Sequence, residues 1–145
     1  VSYTEDAHIR EWMACNENYL LDRRYSRSFW EHLEALPWLP SRIDWTKTPH
    51  IFVSLEDDEG PALSRLAETA LGRHSYTMIS YNADDSAILC RTEDAFRDAD
   101  LLYMHAPGPR YMCGASLQCG SVDLSVEDFA EYDLLGFTAS LMRAT

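Results

Sequence analysis

Residues 50–72, HIFVSLEDDEGPALSRLAETALG, decide how the fold is read. Ile51, Phe52, Val53 and Leu55 form a short apolar run of β-branched and aromatic residues between Pro49 and a polar turn, which predicts a core strand. Gly60 and Pro61 then open a helix, proline being suited to a first turn whose N–H has no partner. Leu63, Leu66, Ala67, Ala70 and Leu71 fall on one helical stripe, and Gly72 supplies its stop. Burying the three leucines contributes roughly 1.5–3 kcal/mol each, enough to hold the helix on its strand.

Downstream, residues 75–81 and 86–91 are strand-like runs separated by Asn82, Ala83, Asp84 and Asp85, a polar connection suited to a hairpin. Thr92 caps a short helix reaching about residue 98, and Leu101, Leu102, Tyr103 and Met104 read as a buried strand. The order over 50–105 is then β-α-β-β-α-β, the split arrangement of ferredoxin-like folds, with an α/β open sheet as the alternative. Upstream, capping spacings at Ser2 and Glu5 and at Ser28 and Glu31 predict helices over about 4–21 and 28–36. Three prolines in 37–49 exclude a regular helix there and leave a connector bearing Trp38, Ile43 and Trp45. Residues 111–124, with Gly114 and Gly120, suit irregular strands. Ser125 and Asp128 then cap a last helix with Phe129, Leu134, Leu135, Phe137, Leu141 and Met142 on one side. The expected fold is a single α+β domain over 1–145, with a mixed sheet, two N-terminal helices and a C-terminal helix.

The charge balance stands out. The chain has 145 residues and a net charge of −12 from 24 acidic and 12 basic groups. Residues 1–55 contribute −2 and residues 56–145 contribute −10. A field of that sign repels nucleic-acid phosphates and anionic lipid, and attracts cationic partners. No apolar stretch approaches the ~20 residues needed to span a bilayer, and the first ten residues do not resemble a signal peptide, so a cytoplasmic protein is expected. The cysteines, Cys15, Cys90, Cys113 and Cys119, have neither CxxC pairs nor regular spacing and read as reduced thiols.

Catalytic signatures are weak. GxSxG, HExxH, P-loop and GxGxxG patterns are absent. His105, Cys113 and Cys119 form the most enzyme-like group, a strand end and loop that could set a thiol beside a base, yet their spacing fits no common zinc pattern. Glu56, Asp57, Asp58 and Glu59 stand where a nucleotide-binding fold would put glycines, and four carboxylates there repel phosphate. They lack the alternation of a calcium loop, and no metal or other cofactor is expected. Asp84 and Asp85 sit at a hairpin tip, where such residues bond their own backbone.

These features predict an acidic binding protein that inhibits or neutralises a cationic protein partner, as toxin-immunity proteins and phage anti-defence inhibitors do. Its contacts would be Glu56, Asp57, Asp58, Glu59, Asp84 and Asp85, with Trp38 and Trp45 as aromatic anchors. Two alternatives are a small enzyme using Cys113 and His105, and a mimic of the phosphate array of a nucleic acid.

Overall fold

A computed structural model describes residues 6–40, 42–54, 59–104, 110–133 and 136–141. Its centre is a seven-stranded sheet built from β1 (Asn18–Leu21), β4 (His50–Ser54), β5 (Tyr76–Ser80), β6 (Ala87–Arg91), β7 (Arg110–Gln118), β8 (Ser121–Asp133) and β9 (Gly136–Ser140). The spatial order is β1-β6-β5-β7-β8-β9-β4, and every neighbouring pair is antiparallel. The described residues form five α-helices around it: α1 (Ala7–Cys15), α2 (Arg23–Glu34), α3 (Glu59–Ala67), α4 (Thr92–Arg97) and α5 (Ala99–Met104). A small hairpin, β2 (Trp38–Leu39) with β3 (Arg42–Ile43), completes the described elements together with 3₁₀ turns at Trp45–Lys47 and Leu71–Arg73.

This architecture overturns the mixed, ferredoxin-like sheet and the α/β open-sheet alternative alike. The strand and helix of residues 50–72 exist, although the helix ends at Ala67 and Gly72 falls inside a 3₁₀ turn instead of supplying the stop. However, β4 does not lie beside β5. It pairs with β9 at the far edge, with three strands between it and β5. There it is an edge strand rather than a core strand, and Ile51 and Phe52 stay 40% and 49% exposed. The run from Leu101 to Met104 belongs to helix α5, because four apolar residues fit a buried helical turn as well as a strand. In place of the C-terminal helix, β8 continues to Asp133 and β9 follows. The long first helix is shorter than its spacing suggested, since Asn16 turns extended and the chain enters β1. Its N-cap is Asp6, whose carboxylate accepts from the His8 and Ile9 amides; the Ser2–Glu5 capping pair lies outside the described residues. Asp22, not Ser28, caps α2.

Both sheet faces are covered, and alternation along the strands sorts the core into two layers. Ile79, Ile88, Cys90, Met112, Ala130, Tyr132 and Phe137 point to one face, where Ile9 and Trp12 of α1, Leu66 of α3 and Phe96 of α4 meet them. Met78, Leu89, Tyr111, Cys113 and Phe129 point to the other, beneath Phe29 and Leu33 of α2 and beneath Ile43 and Trp45. The β5–β6 hairpin forms where the sequence spacing puts it, and Asn82 builds its turn by accepting from the Asp84 and Asp85 amides. Between β7 and β8 a two-residue turn has Cys119 at φ 52° and Gly120 at φ 79°, the left-handed pair that matches the twist of flanking strands. None of the helices formed by the described residues is long and apolar enough to cross a membrane.

Candidate functional site

One row of cross-strand partners runs over five strands on the α2 face: Ser80, Tyr111, Glu131, Thr138 and Phe52. Its burial changes along its length. Ser80 is fully buried and accepts a hydrogen bond from the Trp30 indole at 2.9 Å. Tyr111 lies under the edges of Trp30 and Trp38, with ring centroids 5.3 and 6.2 Å away. Past Glu131 the cover thins, Thr138 is half-buried and Phe52 is exposed.

Glu131 is the anomaly in this row. It is 7% exposed, and its Oε2 has no hydrogen-bond partner among the described residues. Burial raises the Tyr111 hydroxyl well above the usual phenol range, and its hydrogen bond with Glu131 and the charge of that carboxylate act in the same direction. Exposed Arg42 on β3 opposes that shift, yet no ion pair joins it to Glu131 among the described residues. A buried carboxylate lacking one of its bonds is costly, and among the described residues nothing supplies that bond. Trp38, 37% exposed and fixed by its indole N–H to the Leu33 carbonyl at 2.8 Å, packs on the adjacent Tyr111, and exposed Phe52 lies two strands from Glu131 beyond Thr138.

The row lies near one end of the sheet. β5 ends there at Ser80 and leads into the turn bearing Asp84 and Asp85; β8 ends at Asp133, and β4 ends at Ser54 opposite Gly136. The predicted contacts are thus partly gathered. Asp84 is exposed, while the Asp85 carboxylate accepts from the Asn82 side-chain Nδ2 at 2.7 Å and the Asp85 backbone carbonyl accepts from the Ser26 hydroxyl. Glu59 is the first residue of α3, whereas Glu56, Asp57 and Asp58 lie outside the described residues. Trp45 is core: 9% exposed, it stacks on Phe129 at 5.3 Å.

The thiol alternative has different surroundings. Cys113 is fully buried and burial drives its thiol far above the ordinary range; Cys90 is likewise pushed up to about 12. Both changes suppress the thiolate that a nucleophile needs. His105 lies outside the described residues. Among the described residues no group of three or more His, Cys, Asp or Glu side chains is placed to hold a metal ion. Thiol titration of the native protein at neutral pH should accordingly show two fast groups, the exposed Cys15 and Cys119, and two that react only on unfolding. A third fast thiol would contradict this burial.

Two functional candidates were invisible in the sequence pattern. Glu131 looks like an ordinary polar position until residues 129–133 are read as a strand, when it falls on the same face as Phe129. His74 and Asp128, 54 positions apart, meet at 2.7 Å between Nε2 and Oδ2. The β7–β8 register makes this possible by skipping residues 126–128 between Cys113 and Gly114. Neither a protein-family model, nor a curated protein, nor a solved structure matches the chain.

Proposed function

We propose that the protein binds and neutralises a cationic protein partner through the end of the sheet that carries Glu131, Trp38, Phe52 and the Asp84–Asp85 turn. The observation that carries this reading is the buried Oε2 of Glu131, which has no partner among the described residues, on a sheet face that also carries the exposed rings of Trp38 and Phe52 in a chain of net charge −12. An arginine or lysine side chain from the partner would supply the missing donor, and a guanidinium would also stack on Trp38 or Phe52. The long-range field accelerates encounter, while the buried contact sets the lifetime of the complex. Immunity to a basic toxin and inhibition of a defence nuclease are the settings that fit this chemistry.

The test is to isolate the partner by co-purification and measure association against ionic strength. Changing Glu56, Asp57, Asp58 and Glu59 to Gln or Asn should slow association and flatten its salt dependence, and Trp38→Ala should speed dissociation. A complex whose rates ignore salt in both the native and the altered protein would overturn this reading.

A further inference from the structure

At the opposite end of the sheet, and on its other face, His74, which is held by Asp128, lines a cleft of about 260 Å³ between α3 and α4. The ring of His74 is set by an unusual amount of backbone. Gly114 gives it room, since a Cβ there would lie 2.3 Å from His74 Cδ2 and 2.7 Å from Nε2. The irregularity in β8 brings Asp128 to Nε2, and Ser140 braces it by accepting from the Phe129 amide and donating to the Glu127 carbonyl. The Asp128 carboxylate accepts, so in the neutral ring the proton sits on Nε2 and Nδ1 keeps a lone pair.

Gly114 packs against the flat face of the ring, closest to Cδ2, Cγ and Nε2, and Nε2 is committed to Asp128, so Nδ1 is the ring nitrogen left to a ligand in the cleft that the ring lines. Among the described residues nothing bonds to Nδ1, and the histidine side chain is 24% exposed. Leu63, Ala67 and Phe96 form the apolar wall, and Arg91 and Glu93 stand at the polar side. An apolar cleft with a few convergent polar groups is the usual form of a small-molecule site.

We propose that this cleft binds a compact organic molecule of one or two rings that donates a single O–H or N–H hydrogen bond to Nδ1 of His74. The apolar body lies against Leu63 and Phe96. Asp128 is a positioning residue that fixes the ring and strengthens Nδ1 as an acceptor. The site is separate from the Glu131 surface in place and in ligand chemistry, so either can fail without the other.

The experiment is an NMR titration of the whole chain with 4-methylphenol and with toluene, which has the same ring and methyl group but no donor. Saturable shifts at His74, Leu63 and Phe96 are expected with 4-methylphenol, with toluene about tenfold weaker or worse, the usual scale of one lost hydrogen bond. Asp128→Asn should weaken 4-methylphenol binding several-fold while leaving toluene unchanged. Equal binding of the two probes, no saturable shift at these residues, or an Asp128→Asn protein that folds and binds both as before would each overturn the proposal. Should Asp128→Asn fail to fold, the matched pair on the unaltered protein decides alone.

Discussion

Glu131→Gln is expected to make the protein more stable and a worse binder at once. Glu131 is 7% exposed with one oxygen unpartnered among the described residues, and an uncharged amide costs less to bury there than a carboxylate. Glutamine also keeps an acceptor for the Tyr111 hydroxyl. The gain should be about 1 kcal/mol, raising the thermal midpoint by about 3 °C for a chain of this size. Binding should move the other way. Removing one member of a buried charge contact typically costs about 2–5 kcal/mol, so affinity for the cationic partner should fall by about 30-fold or more, mainly through faster dissociation. Calorimetry and surface binding on the same preparation check both halves. A lowered midpoint would mean that Glu131 has its bonds in solution, and unchanged affinity would remove it from the interface.

Such trade-offs are hard to see from the sequence because the chain is covered on both faces of its sheet. Where only one face is buried, alternation marks a strand; where both are, apolar residues fill consecutive positions and the period disappears. Ala87, Ile88, Leu89 and Cys90 were still readable as a strand, since they are short, follow an Asn/Asp turn and mirror 76–80. The 129–141 segment was not, for it is longer, carries three leucines and two alanines, and keeps an apolar side at helical spacing as well. That misreading hid Glu131, which becomes a polar face residue on a helix. It also detached β4 from its true neighbour, because the partner of Val53 is Phe137. Trp38 and Trp45 share a proline-rich connector and the same expectation as contacts, yet Trp38 is exposed and Trp45 is core. Nothing local distinguishes them; what differs is the strand residue beneath each, Tyr111 for one and Phe129 for the other.

Phe129 and Phe137 provide the strongest test of the two-layer sheet. Phe137 is fully buried, with Tyr132 and Phe96 rings 4.8 and 5.4 Å away on the α1 and α3 face. Phe129 is 2% exposed and stacks under Trp45 on the α2 face. Each truncation to alanine removes a ring and leaves a cavity, so each should cost about 3–5 kcal/mol in urea unfolding. Against a domain stability of about 5–15 kcal/mol, either change alone is severe. The more decisive quantity is their sum. On opposite faces of the sheet, in separate clusters and with no shared partner, the two losses should add to within about 0.5 kcal/mol wherever the double variant still folds. Milder pairs, Phe129→Leu with Phe137→Leu, keep the cycle measurable if the alanine pair unfolds. On one side of a helix, Phe129 and Phe137 would share a cavity, and the second truncation would cost less than the first. A coupling of about 1 kcal/mol or more would therefore place both rings in one cluster and break the two-layer arrangement.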